Sequence, residues 1–427
     1  MKRIVLFFST LMILAGCQAP TAGYGSLEGV VYPKDNQDKA LSMVAVIYGD
    51  SATYTNIDGF FRYDTIPEGL QGLTFKKDGY FDVVKQLNIA RDIVNTTTVE
   101  MELARCGWAV GDLDSYFGTI LRTTNGGDNW VRQGAPSIIP EVNLIDVCTI
   151  NDNECFIVGE PDTVHRKSTI LYTNNGGNEW KNLAPQSIPL VSYGSIISKD
   201  GKKIWCASND SSVIILSSDA GKSWKLSINS ENMKYYSAIT TYDGTNIWAC
   251  GMAREGGAAI EYSADGGTSW EFIPVGASTG IQAATDIYAD IYGTIFLTGD
   301  TGMGLMVSED MGHTWESVES MGTGNSLFTL SVVEGSKIWT ASEAGTLYYY
   351  ADTGKFFNSF PQDAQPTDYV KDISFLRDGL CGSAIITQVD NLGSSIYYTT
   401  DGGLNWSKST IPYNFILKNI DFVGGNN

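Results

Sequence analysis

The chain has 427 residues, of which 43% are hydrophobic and only 18% charged, with 46 glycines and 22 tyrosines. That is enough apolar material for a large core, in the β-rich, turn-rich balance that argues against a helical or disordered protein. The formal net charge of −20 argues against a nucleic-acid binder, which needs basic surface.

At the N-terminus, Met1-Lys2-Arg3 precedes an apolar run from Ile4 to Leu14. About eleven residues is too short to span a bilayer. The run ends in Leu14-Ala15-Gly16-Cys17, which resembles the lipobox of bacterial lipoproteins. The resemblance implies a signal peptide over 1–16, lipidation of Cys17, and a lipidated tether over 17–23. The expected location is the cell envelope, at the outer membrane, with the face left open. Acyl chains would anchor the protein rather than span the membrane.

Residues 24–104 show short strand-like segments, such as Leu27 to Tyr32 and Met43 to Tyr48, broken by turns at Asp58-Gly59 and Pro67-Glu68-Gly69. Such punctuation predicts a β-sandwich. The order Gly29-Val30-Val31, Ala45-Val46, Thr55-Asn56-Ile57-Asp58-Gly59-Phe60-Phe61, Ile66-Pro67-Glu68-Gly69 and Gly79-Tyr80 resembles the carboxypeptidase regulatory-like domain. That family implies a small seven-stranded accessory module, here a spacer.

From 105 to 427 one phrase recurs. It ends at Trp130, Trp180, Trp224, Trp270 and Trp315, at spacings of 50, 44, 46 and 45 residues, and again at Trp406. Midway through the last interval lies a worn copy with Asp352 and Phe357 in the places of the acid and the tryptophan. Each unit carries an apolar strand of the type Ile247-Trp248-Ala249-Cys250-Gly251, then a strand feeding the turn, with another strand upstream and one after the tryptophan. Four strands per such period predict a β-propeller blade. The C-terminal Leu417-Lys418-Asn419-Ile420-Asp421-Phe422-Val423 matches the first strand of a unit, so it is expected to complete the first blade and close the ring. The expected fold is all-β, a small sandwich followed by a seven-bladed propeller, with six blades as the fallback.

The recurring phrase resembles the Asp-box, or BNR repeat, and the repeat style is similar to the sialidase-like and photosystem II assembly factor-like propellers. The residue types imply structure rather than catalysis. Asn125, Asn175, Asp219, Asp265, Asp310 and Asp401 would accept turn N–H groups, and Trp130, Trp180, Trp224, Trp270, Trp315 and Trp406 would bury large rings. A sialidase-like activity would need an arginine clamp and an Arg-Ile-Pro motif; the sequence has no such motif.

Six cysteines follow Cys17. Cys148 and Cys155 flank a hairpin loop where a cross-strand disulfide is geometrically open, although buried free thiols are the preferred expectation. No Cys-x-x-Cys occurs and there are only two histidines, so neither a metal site nor a cofactor is expected. Recognition is expected on the face formed by the loops between second and third strands and the connections between blades. The candidate ligand-binding residues are Asp112, Asp114, Tyr116, Glu160, Asp162, His165, Arg166, Tyr235, Tyr236, Arg254, Glu255 and Tyr413. The expected function is a monomeric, lipid-anchored envelope scaffold that binds a glycan or a protein. The alternative is a glycoside hydrolase with paired carboxylates on that face.

Overall fold

The structure, a computed structural model, describes residues 23–424 apart from 35–36, 78, 115, 135–138, 301–303, 319–325, 334–336, 343–344, 351–355, 360, 362–363, 365–367 and 389–392. The expected signal peptide, Cys17, Asp352 and the Phe357 side chain lie outside the described residues. Two compact units are present, with the change from one to the other at Leu103 and Ala104.

The first unit is a seven-stranded sandwich. One sheet orders Phe60–Pro67, Tyr24–Pro33 and Val94–Met101; the other orders Ser51–Tyr54, Ala45–Tyr48, Gly69–Lys76 and Val83–Ile89. Tyr24–Pro33 alternates between buried and partly exposed positions along its length, as period-two patterning requires of a strand with one face inward. Leu27, Val31, Phe61, Leu73 and Phe75 are fully buried. Phe61 and Phe75 meet edge to face across the two sheets, with ring centroids 5.5 Å apart.

The second unit holds seven four-stranded antiparallel sheets among the described residues. Six of them use strands consecutive in sequence, opening with Leu144–Thr149, Tyr193–Ile197, Met233–Thr241, Ala284–Ala289, Leu327–Val333 and Tyr369–Phe375. The remaining sheet joins Gly107–Asp114, Phe117–Thr123 and Val131–Arg132 to the C-terminal strand Leu417–Phe422. Each opening strand packs on the next, and Leu417–Phe422 packs on both Tyr369–Phe375 and Leu144–Thr149. The ring is therefore closed by its last strand, which removes the exposed edges of an open array.

Every sheet buries both faces against its neighbours. Cys155 packs with Trp108 and Trp180 on one side of its sheet, while Cys148 packs with Phe156, Tyr193 and Cys206 on the other. Cys148 pairs with Phe156 and Cys155 with Thr149. The two thiols are one register step apart and point to opposite faces, so no bridge forms between them. All six described cysteines are free and buried.

The Asp-boxes are capped turns. In the fourth sheet the Ser263 hydroxyl donates to Asp265 Oδ1 at 2.9 Å and accepts the Gly267 N–H at 2.8 Å. Asp265 Oδ1 also accepts the Ser269 N–H at 2.8 Å, and the Ser269 hydroxyl donates to Oδ2 at 2.6 Å. The same pattern recurs at Ser217, Ser308 and Thr399 with an acid, and at Thr123 and Thr173 with the Asn125 and Asn175 amide oxygens in the acid's place. Four box tryptophans close their own turns, Trp130, Trp224, Trp315 and Trp406 each donating to the box glycine carbonyl. Trp270 donates instead to Ser227 Oγ of the preceding sheet at 3.0 Å. Neighbouring sheets are also stitched through the boxes. The indoles of Trp205, Trp248 and Trp339 donate to Gly266, Met311 and Gly402, each in the box turn of the next sheet.

Candidate functional site

The opening strands share one irregularity. Register breaks between Leu144 and Asp146, Tyr193 and Ser195, Ala284 and Asp286, Val370 and Asp372, and Leu417 and Asn419. A bulge at one aligned point re-aims the side chain that follows it. The facing residue on the second strand is glycine at Gly159 and Gly111, where an added Cβ would lie 2.4 Å from the Asn143 carbonyl oxygen and 2.1 Å from that of Ile416. Those two glycines exist so that the bulge can approach.

The bulge delivers acids to the next sheet. Asp146 Oδ2 accepts the Ile196 N–H at 2.7 Å, Asp286 Oδ2 accepts the Leu330 N–H at 2.7 Å, and Asp372 Oδ2 accepts the Ile420 N–H at 2.8 Å. Two residues beyond its own strand's bulge point, Asp421 Oδ2 accepts the Thr149 N–H at 2.7 Å. Ser195 does the same for Ile239 at 3.2 Å. These acceptors satisfy strand N–H groups that have no backbone partner across the gap between sheets. The four carboxylates line one axial cavity of about 240 Å³. Burial pushes Asp146 up to about 7, Asp286 up to about 8 and Asp372 up to about 6, and the Asp372 charge adds to the rise at Asp146 and Asp286. Burial also raises Asp421. Among the described residues no group of three or more His, Cys, Asp or Glu side chains is arranged to hold a metal ion.

A second cavity, of about 300 Å³, lies at the mouth of this channel on the side of the loops between second and third strands. Asp112, Tyr369, Lys371, Thr387 and Lys418 line it, with Ile416 and Leu417. Lys418 Nζ pairs with Asp112 Oδ2 at 3.2 Å. Asp112 Oδ1 is buried without a hydrogen-bond partner.

The candidates named from sequence are scattered along this face rather than gathered. Asp114 is ion-paired with Arg132, whose guanidinium stacks over Phe117 at 4.3 Å. Glu160 accepts from Asn143 Nδ2 at 3.1 Å. Asp162 takes the His165 N–H at 2.9 Å and faces His165 Nδ1 at 2.6 Å, which folds that loop on itself with Arg166 at φ 51°. Arg254 Nε donates to the Glu231 carbonyl at 3.1 Å, and Glu255 is exposed in the same turn. Tyr116 and Tyr413 are each 68% exposed; Tyr235 is half-buried. Tyr236 is a correction. It is fully buried, and its hydroxyl donates to the buried Glu261 carboxylate. Strand alternation turns Tyr236 inward where Tyr235 faces out.

Sequence reasoning passed over Asp146, Asp286, Asp372, Asp421, Lys371 and Lys418. A signal was there. Leu144-Ile145-Asp146-Val147, Ala284-Thr285-Asp286-Ile287 and Val370-Lys371-Asp372-Ile373 each place an acid inside an apolar strand, where an uncompensated charge is costly.

The fold and the capped turns define the class: the chain is a β-propeller protein with BNR/Asp-box repeats. The family described as "Photosynthesis system II assembly factor YCF48" matches residues 83–228, and the one described as "BNR/Asp-box repeat" matches residues 397–408. No curated protein matches the sequence. Among solved structures, YCF48 from Cyanidioschyzon merolae is 17% identical with a TM-score of 0.50, over 64% of this chain and 88% of that one. U3-55K is 10% identical with a TM-score of 0.52, over 67% and 86%. The periplasmic gluconolactonase PpgL of Pseudomonas aeruginosa is 13% identical with a TM-score of 0.50, over 74% and 99%. At these identities the likeness is one of fold.

Proposed function

We propose that this protein is a binding scaffold of the cell envelope, anchored by lipid at Cys17, with the sandwich as a regulatory-like spacer and the propeller loop face as the recognition surface. The observation that carries the reading is how the acids are used. The box acids cap their own turns, and Asp146, Asp286, Asp372 and Asp421 hold strand N–H groups of the next sheet. On the loop face Asp112, Asp114, Glu160 and Asp162 are each tied to a neighbour. That leaves the exposed Tyr116 and Tyr413, the exposed Glu255 and paired polar groups, a surface suited to recognition. Of glycan and protein, a protein partner is favoured, because the matched family description names an assembly factor.

The test uses the full-length protein in its native envelope. Cross-linking at the loop face is expected to recover a discrete protein partner, and Tyr413→Ala combined with Tyr116→Ala should reduce that recovery severalfold. Release of reducing sugar from envelope polysaccharides would sink the scaffold reading in favour of hydrolysis. Cys17→Ser is expected to move the protein from the membrane to the soluble fraction.

A further inference from the structure

Four boxes carry aspartate, but two carry asparagine, and in both of these a glycine follows: Asn125-Gly126 and Asn175-Gly176. An asparagine before glycine is open to attack on its own side chain. The glycine nitrogen bonds to the asparagine Cγ, and the side-chain nitrogen leaves as ammonia, carrying the glycine proton. A five-membered imide remains. Water then breaks one imide C–N bond and restores the N–H. Breaking the bond to Cγ gives aspartate; breaking the bond to the backbone carbonyl carbon gives isoaspartate. Glycine favours the attack because it has no Cβ to restrict the backbone.

The native turn opposes this step. The Gly126 N–H donates to the Arg105 carbonyl at 2.9 Å, and the Gly176 N–H to the Asn153 carbonyl at 3.0 Å. An imide has no N–H and cannot make that bond. Both glycines are buried, at φ 76° and 67°. Asn125 Oδ1 accepts from the Thr123 hydroxyl at 2.9 Å and the Asn129 N–H at 3.1 Å. Asn175 Oδ1 accepts from the Thr173 hydroxyl at 3.1 Å and the Glu179 N–H at 3.0 Å. Nucleophile and target are thus each tied to other partners.

The two products meet different neighbours. In the four boxes with aspartate, the side chain four places on donates to Oδ2: Ser223, Ser269 and Thr314 at 2.6 Å, and Asn405 at 2.7 Å. Asn129 holds that place after Asn125, and its Nδ2 donates to Asp128 Oδ2 at 3.0 Å. It can serve a new acid as Asn405 does. Glu179 holds the place after Asn175. A carboxylate has no proton to give, and two carboxylates there repel. We propose that Asn125 and Asn175 are modification sites, deamidated through the imide only when their turns open, and that the aspartate formed fits the box at 125 but disrupts it at 175. This stands apart from the scaffold reading.

The test is peptide mass spectrometry of the full-length protein, incubated in mildly alkaline heavy-oxygen water with and without urea. Both sites are expected to gain labelled carboxyl oxygen in urea. Without urea conversion should be at least about ten-fold slower, because a reaction of the folded turn waits on local opening. Equal rates in the two solvents, or no conversion in urea, would overturn the gating. Variants test the difference between the sites. Asn125→Asp should leave the urea midpoint of the propeller unchanged, and Asn175→Asp should lower it. Adding Glu179→Ser to Asn175→Asp should restore the midpoint towards that of Glu179→Ser alone, since Ser223 and Ser269 serve their acids from that place. If Asn175→Asp fails to fold, recovery in the double variant still decides. Equal midpoints for Asn125→Asp and Asn175→Asp, or no recovery on adding Glu179→Ser, would overturn the assignment at 175.

Discussion

Within each Asp-box the hydroxyl matters as much as the acid that gives the motif its name. Ser263 is 1% exposed and serves three groups: it donates to Asp265 Oδ1 and accepts the N–H groups of Asp265 and Gly267. Removing it strands a buried N–H. Ser263→Ala is expected to destabilise the propeller by about 1–3 kcal/mol in urea titrations. Ser263→Thr should be close to neutral, because threonine fills the same place at Thr123, Thr173 and Thr399. The acid is tuned to match. The Ser269 hydroxyl, first among several donors, holds Asp265 down to about 2, and that of Thr314 holds Asp310 down to about 2. Their stabilising share is therefore present above the ordinary carboxylate range and is lost as the pH falls through about 2.

At the scale of the strand, the bulge and its facing glycine are one device. The bulge swings an acid to the next sheet, and the glycine leaves room for the chain that carries it. Gly159→Ala would set a Cβ 2.4 Å from the Asn143 carbonyl. The strand must then shift, and with it the bond from Asp146 to Ile196. A loss of about 1–3 kcal/mol is expected, typical of forced overpacking. Alanine at Gly49, which has open space around it but φ 57°, serves as the comparison for backbone strain alone; hydrogen exchange at Ile196 N–H should rise only in the Gly159 variant.

For the whole molecule, two features set stability. The first is closure. Leu417, Ile420 and Phe422 are buried, and their strand completes the sheet of Gly107–Asp114 while contacting both neighbours. Deleting 416–427 would expose an edge and strip four core side chains, Val423 being the fourth, so the propeller should lose its cooperative transition and aggregate. The second is the acidic channel. A carboxyl whose folded pKa lies above its unfolded value holds its proton more tightly in the folded state. The stability it contributes is complete below about 3.8 and is lost as the pH rises through about 6 for Asp372, about 7 for Asp146 and about 8 for Asp286. The propeller should therefore be more stable at pH 5 than at pH 8. Asp286→Asn, which keeps an acceptor for the Leu330 N–H, should shrink that difference in urea midpoint.

Much of the architecture was legible along the chain because it is periodic. The box spacing, the Ile-Trp-x-x-Gly strands and the resemblance of Leu417–Phe422 to an opening strand are local patterns, and local patterns survive in one dimension. So does the expectation of free thiols, since Cys148, Cys155, Cys206 and Cys250 sit in apolar strands. The face of a side chain was harder. Tyr235 and Tyr236 differ by one step of strand alternation, and only packing against Glu261 shows which turns inward. The channel and its mouth were not legible as a site. Their charged groups come from several sheets, at chain positions as far apart as Asp146 and Asp421, and each alone is one charge in a strand. What the sequence determined by itself was the repeating sheet, because hydrogen bonding and hydrophobic alternation act between near neighbours. Only the closed ring decided where the charges meet, because closure alone brings the first and last sheets together around one axis.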